Sequence, residues 1–280
     1  MEDGLRNTSS VAGERVNRLL PAQRKLHLTR LVTEADVFTL DALARKLGVS
    51  TQTIRRDLAH LERQGLVRRT YGGAITREAL DWSEPAFIAR EATWAVEKRA
   101  IAQTAVASLR RGEIVFFDAS TTVLTLARLL PDDWQGEIIV TSLPAAVEVS
   151  RHPGVQLLVV GGEFRFSSRS FGGPLTEELL QRLCVGTAYI SARGIDLRRG
   201  LMEAHGGEAA LKRIIMGNAE RTIALVDSSK LGVTATHRIA PLSAVHTLIT
   251  DSRAPADIVA AMRNQGPEVL VAGKGANRPE

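Results

Sequence analysis

The chain has 280 residues, a length that at roughly 100 to 200 residues per domain predicts two folded domains. Its composition, 44% hydrophobic and 24% charged, excludes a disordered, collagenous or coiled-coil chain, and no apolar run reaches the roughly 18 residues that a membrane helix needs. The net charge of +5 is not spread evenly: 14 of the 36 basic and nine of the 31 acidic residues fall in residues 1–80, leaving 22 of each beyond, so the whole surplus lies in the first part of the chain. A basic small part joined to a neutral large part is the layout of a nucleic-acid-binding module on a separate sensor or enzyme, although a basic surface can also serve solubility alone.

Residues 1–20 are polar and without periodicity, and Met1 to Ser10 lacks the basic-then-apolar order of a signal peptide, which predicts a loose tail on a cytoplasmic protein. Three helices are then expected close together, over Ala22 to Thr33, Leu40 to Leu47 and Thr51 to Arg63. In the second, Leu40, Leu43, Ala44 and Leu47 recur at helical spacing, with Thr39 placed to cap its start and Gly48 to end it. The connection Gly48-Val49-Ser50 has the short, glycine-containing length of a helix-turn-helix.

The third helix buries Ile54, Leu58 and Leu61 and turns Gln52, Arg55, Arg56, Ala59, His60 and Arg63 outward. Arginine bonds guanine bidentately and glutamine bonds adenine, while Ser50, Thr51 and Thr53 stand where a helix start meets phosphates. An arginine pair alone is as often a solvated face. Asp57, rotated inward, suits an ion pair better than a DNA contact. Beyond it, Leu66 to Tyr71 reads as a strand, Gly72-Gly73 as a tight turn and Ala74 to Thr76 as the returning strand, making a wing in which Arg68, Arg69 and Tyr71 flank the nucleic acid.

Val49-Ser50, Thr53-Ile54-Arg55-Arg56-Asp57-Leu58 and Tyr71-Gly72-Gly73-Ala74 make the chain resemble the DeoR family of bacterial transcriptional regulators; Tyr71 stands where the family usually has His. The resemblance implies a winged helix-turn-helix over residues 21–78 that holds operator DNA.

Residues 79–97, with Pro85, Trp82 and Trp94, read as a linker. From Lys98 a helix, Ile101 to Leu109, leads into a strand at Glu113 to Phe117, and further apolar runs follow at Ile138 to Thr141, Val155 to Val160, Thr187 to Ser191, Thr222 to Val226 and His246 to Thr250. Helical stretches alternate with them, near Thr122 to Leu130, Pro144 to Ser150, Leu175 to Leu183, Glu208 to Ala219 and Pro255 to Arg263. That alternation predicts an α/β domain over residues 98–274, with a largely parallel sheet covered on both faces.

Ligands of such sheets bind beyond the carboxyl ends of the strands. The residues there are Asp118, Ser120, Thr121 and Thr122 after the first strand, Thr141 and Ser142 after the second, Gly161 and Gly162 after the third, Arg193 after the fourth, and Asp227 and Lys230 after the fifth; Lys212 lies on the helix between the last two. Hydroxyls, carboxylates and two lysines suit a small polyhydroxylated anion, its phosphate on Ser120, Thr121, Thr122 and a lysine, with Asp118 accepting from hydroxyls. Each residue also has a plainer reading, as a helix cap or a turn.

Lys98-Arg99-Ala100-Ile101-Ala102, Gly194-Ile195-Asp196, Glu208 with Lys212, and Asp227-Ser228-Ser229-Lys230 extend the resemblance over the large domain. It implies a phosphorylated-sugar effector and a fold related to ribose-5-phosphate isomerase and CoA transferases. The family commonly has Gly-Thr-Thr where this chain has Ala119-Ser120-Thr121, Asn at Ser142 and Asp near Gly186.

An isomerase-like enzyme, with Asp118, Lys212 and Lys230 as acid or base, is the alternative. The sequence holds no nucleophile elbow, phosphate-binding loop or dinucleotide fingerprint. Cys184 is the single cysteine and the six histidines are scattered, so no metal or cofactor is expected. A repressor of a carbohydrate-utilisation operon, acting as a homodimer or homotetramer on paired half-sites, is the reading that results.

Overall fold

The computed structural model describes Arg24, Leu28 and residues 37–63, 67–70, 73–76 and 87–273. The chain divides into two compact units, residues 1–76 and residues 77–280. The expected tail, most of the first helix and the turn residues Tyr71 and Gly72 lie outside the described residues.

In the first unit, α1 (Leu40–Leu47) is capped by Thr39, whose Oγ1 accepts from the Ala42 amide at 3.2 Å. It ends at Gly48, where φ of 63° and ψ of 34° place the residue in the left-handed region and its N–H returns to the Ala44 and Arg45 carbonyls. The next helix, α2 (Thr51–Arg63), starts three residues later. Leu43, Ile54, Leu58 and Leu61 of these helices close on Leu28 to form the unit's core. The wing is β2 (Val67–Thr70) paired antiparallel with β3 (Gly73–Thr76). On its other side β3 pairs with β1 (Val37–Thr39), a strand absent from the sequence reading because three residues are too few to show an alternation.

The second unit opens with α3 (Phe87–Ala92) and α4 (Ala95–Val106), so part of the expected linker is helical and packed, Phe87 being fully buried. Seven parallel strands follow in the spatial order β15-β14-β12-β9-β4-β5-β6, with β4 at Ile114–Phe117, β5 at Gly136–Val140, β6 at Val155–Val159, β9 at Val185–Ile190, β12 at Ala219–Leu225, β14 at Thr247–Asp251 and β15 at Glu268–Ala272.

Successive strand residues serve opposite faces. Val115, Phe117, Ile138, Val140, Tyr189 and Ile223 pack under α4, α5 (Thr121–Arg128) and α6 (Leu143–Val149). Phe116, Ile139, Ala188, Ile190 and Ala224 pack under α7 (Pro174–Gln181), α8 (Gly206–Gly217) and α9 (Ala256–Arg263). Burial on both faces explains why the inner strands β4, β5, β9, β12 and β14 read as continuous apolar runs, whereas the edge strand β6 is apolar but largely exposed.

Two smaller sheets join the unit, the hairpin β7 (Glu163–Arg165) with β8 (Ser170–Gly172), and an antiparallel set of β10 (Gly194–Asp196), β11 (Gly200–Glu203) and β13 (His237–Ala240). From β4 the chain runs outward through β5 and β6, then returns to β9 on the other side of β4 and runs outward again through β12, β14 and β15. The strand order therefore reverses between β4 and β9, and the crevice beyond their carboxyl ends is where an open α/β sheet receives a ligand. No helix among the described residues is long and apolar enough to cross a membrane.

Candidate functional site

The first candidate surface is the outer face of α2. Gln52, Arg55 and Arg56 are exposed, His60 half-buried, and Ile54 and Leu58 fully buried beneath them. Ser50 caps the helix, its Oγ accepting from the Thr53 amide at 3.2 Å and lying 2.9 Å from the Thr53 hydroxyl. Thr51 begins the first turn. Asp57 is buried and ion-paired, with Arg24 Nε 2.7 Å from its Oδ2, so it anchors the helix rather than facing outward. Arg63 closes α2, Arg68 and Arg69 lie in β2 and Gly73 opens β3.

The second candidate is a cavity of about 260 Å³ at the strand-order reversal. Asp118, Ser120 and Thr121 reach its wall from the end of β4, Thr141 from β5, Arg193 from β9, and Asp227 and Lys230 from β12; Lys212 enters from α8. Eight of the twelve residues predicted from the sequence thus meet at one cavity.

Four do not. Thr122 is fully buried off the wall. Ser142 is buried as the cap of α6, its Oγ accepting from the Ala145 amide at 3.3 Å. Gly161, like Gly172, gives its carbonyl to the Thr176 hydroxyl at 2.8 Å, and Gly162 serves packing, since a Cβ there, where φ is +149°, would stand 2.0 Å from that hydroxyl and 2.6 Å from the Gly172 carbonyl. Gly162→Ala is therefore expected to destabilise the second unit by about 1–3 kcal/mol, measurable as a lower urea midpoint with operator affinity of the folded protein unchanged.

Within the cavity, Asp118 ties β4 to β9: Oδ2 accepts from the Ser191 amide at 2.7 Å and Oδ1 from the Ser120 amide at 2.9 Å. Ser120 Oγ caps α5 by accepting from Val123 N at 3.2 Å. Lys212 is buried, its Nζ 2.5 Å from Glu203 Oε2, 2.9 Å from the Ser191 carbonyl and 3.5 Å from Asp118 Oδ2. Burial opposes its charge, but Glu203 and Asp118 outweigh burial and hold the ammonium above its ordinary pKa. Glu203 is correspondingly held below the ordinary carboxylate range, burial acting against and Lys212 for its charge. Lys230 Nζ donates to Ser191 Oγ at 3.1 Å and lies 3.7 Å from Asp227 Oδ2.

The sequence reading did not include Glu203, Glu208, Ser191 and Ser229 in the site, nor the four wall residues Arg90, Thr93, Trp94 and Lys98. The last four belong to the segment read as a linker and to the helix after it, where the tryptophan was the one signal. No group of His, Cys, Asp and Glu among the described residues has the arrangement to hold a metal ion.

The DeoR-like helix-turn-helix domain matches residues 24–79 and the DeoR C terminal sensor domain matches residues 94–252. The HTH-type transcriptional regulator GlpR of Haloferax volcanii is 33% identical over 254 residues, covering 90% of this chain and 98% of the relative. A putative aga operon transcriptional repressor of Escherichia coli O157:H7 is 32% identical over 269 residues, covering 96% of this chain and 99% of the relative. Among solved structures, ribose 5-phosphate isomerase A of Methanocaldococcus jannaschii is 20% identical and covers 50% of this chain and 55% of its own, with a TM-score of 0.38. A helix-turn-helix that presents two arginines and a glutamine, followed by a parallel sheet with its cavity at the strand-order reversal, is thus matched in both units, and the chain belongs to the DeoR family of DNA-binding transcriptional regulators.

Proposed function

We propose that this regulator is a cytoplasmic repressor of a carbohydrate-utilisation operon, that residues 21–78 hold its operator, and that a phosphorylated sugar in the cavity of residues 98–274 sets its operator affinity. The observation that carries the reading is the cavity itself. It gathers Lys98, Lys212, Lys230 and Arg193 with the hydroxyls of Ser120, Thr121 and Thr141 and the carboxylates Asp118, Glu203 and Asp227. Cations beside the start of α5 suit a phosphate, and the acceptors around them suit sugar hydroxyls. The relative from Escherichia coli O157:H7 is itself named a putative repressor of the aga operon, which favours repression. The enzymatic alternative is not favoured: Lys212 is bound into an ion pair and carbonyl contact that leave it a poor base.

On this reading the protein binds paired half-sites about 34–36 Å apart as a homodimer or homotetramer, and effector and DNA weaken one another by the same factor. The test is fluorescence anisotropy on duplex from upstream of the protein's own gene, with triose, pentose and hexose phosphates and their unphosphorylated parents. One phosphate is expected to lower operator affinity while its parent has no effect. A response to the parent sugar alone, or to none of the panel, overturns the effector assignment.

A further inference from the structure

Lys98 is a buried cation of the cavity that no carboxylate among the described residues contacts. It is 4% exposed, and its Nζ donates to two backbone carbonyls, those of Arg90 and of Thr93, the latter at 2.7 Å. Among the described residues no carboxylate lies within ion-pair distance of it, whereas Lys212 has Glu203 and Asp118, and Lys230 has Asp227. A buried ammonium satisfied only by neutral acceptors is ready to exchange them for an anion, since the attraction between opposite charges in a low-dielectric site adds to the hydrogen bond itself.

The carbonyls it now holds have a particular place. Arg90 lies in the last turn of α3, Thr93 in the junction, and Lys98 itself in the first turns of α4, so the side chain clamps the α3–α4 junction. That junction contains Trp94, a non-glycine residue held in the left-handed region with φ of 58° and ψ of 33°, over whose ring the Arg253 guanidinium lies 4.5 Å away. Such a conformation persists only while its surroundings hold it. Arg90, Thr93, Trp94 and Lys98 all line the cavity. In the chain, residues 77–86 and then α3 lie between β3 of the DNA-binding unit and this junction.

We propose that Lys98 is the anion hook of the sensor: the phosphate of the effector draws Lys98 Nζ away from the Arg90 and Thr93 carbonyls, unclamps the α3–α4 junction, and so passes occupancy of the cavity to the segment leading to the DNA-binding unit. This rests on the sugar-phosphate reading above and adds to it the residue that converts binding into release.

The charged groups facing Lys98 are Arg90 and Glu91 from α3, and Asp227 and Lys230 from the turn after β12. Burial and the Lys230 charge lower its pKa to about 8, so at about pH 8.5 the free protein holds Lys98 largely neutral and capture of an anion requires a proton.

The test uses the full-length protein and the sugar phosphate that lowers wild-type operator affinity. Calorimetric titration at about pH 8.5 in buffers of different ionisation enthalpy is expected to show proton uptake on binding to wild type. Lys98→Met is expected to bind that phosphate about 10- to 100-fold more weakly, with no proton uptake and with operator affinity no longer responsive. Lys98→Arg is expected to restore binding without the proton uptake, an outcome that a merely structural role for the lysine does not give. If wild type binds the phosphate without proton uptake and both variants bind and respond as wild type does, the hook is overturned and the sugar-phosphate reading stands. If no phosphate in the panel binds wild type, both fall together.

Discussion

Lys212→Met is expected to destabilise the sensor unit by about 3–5 kcal/mol at neutral pH, because it leaves Glu203 and Asp118 buried beside an uncharged side chain. The pair's contribution has a defined pH window. Glu203, held below the ordinary carboxylate range, contributes stability that is present above its unfolded pKa and is lost as pH falls through its lowered folded value. Lys212, held above the ordinary lysine range, contributes stability that is present below its unfolded pKa and is lost only as pH rises through the raised folded value. Across the neutral range both contributions are intact.

In the variant the sign for Glu203 reverses, since burial without the lysine raises its pKa, the folded protein then takes up a proton, and stability rises as pH falls. Urea denaturation at about pH 7 and about pH 5 checks this: the deficit of Lys212→Met should shrink at the lower pH, and Lys212→Met combined with Glu203→Leu should recover part of it at the higher. A deficit that is the same at both pH values, and untouched by the second substitution, would show that the ion pair is not its source.

The second large effect lies in the DNA-binding unit. Leu58 is fully buried against Leu28, Leu43 and Ile54, and Leu58→Ala is expected to cost about 2–5 kcal/mol. A unit with so small a core has little more than that in reserve. Operator binding should therefore disappear while the proposed sugar-phosphate binding, whose cavity is lined by the other unit alone, continues. Arg55→Ala, on the exposed face of the same helix, is the contrasting case: thermal unfolding should be unchanged, and operator affinity should drop by about 1–3 kcal/mol, with relaxed specificity if the lost contact is to a base. Wild-type operator affinity in Leu58→Ala would mean that the recognition face does not depend on the core described for it.

Much of this was legible in the sequence, for identifiable reasons. The helix-turn-helix announced itself through one apolar stripe, a glycine with the left-handed conformation that stops a helix, and a serine cap, all local features whose meaning does not depend on the rest of the fold. The parallel sheet was legible because burial on both faces writes its inner strands as apolar runs, although the edge strand β15, opening on Glu268, was not read. β1, the hairpin β7–β8 and the sheet of β10, β11 and β13 were not, because three- and four-residue strands carry too little pattern.

In the cavity, the residues directly after strand ends were found by that rule alone. Four residues obey the same rule but lie off the wall: Thr122 is buried in the core, Ser142 caps a helix, Gly161 gives its carbonyl to Thr176 and Gly162 packs against that hydroxyl, and no local signal separates these roles from a ligand contact. Glu203 was missed because it ends β11, a short strand without a readable pattern, although it stands only nine residues before Lys212, and Lys98 because a lysine inside a helical apolar stripe reads as a surface residue that happens to fall there.

The reversal of strand order between β4 and β9 also bears on how such a protein changes over generations. The sheet's apolar runs build the two cores, while much of the cavity wall is drawn from the short segments that follow β4, β5, β9 and β12. A substitution in one of those segments can alter what the cavity accepts without disturbing the strand before it. Asp118 and Lys212 serve both scaffold and wall, but most of the apolar runs lie at other positions than the cavity wall, so a lineage carrying this architecture can change what the cavity accepts in a few steps while the same sheet is kept.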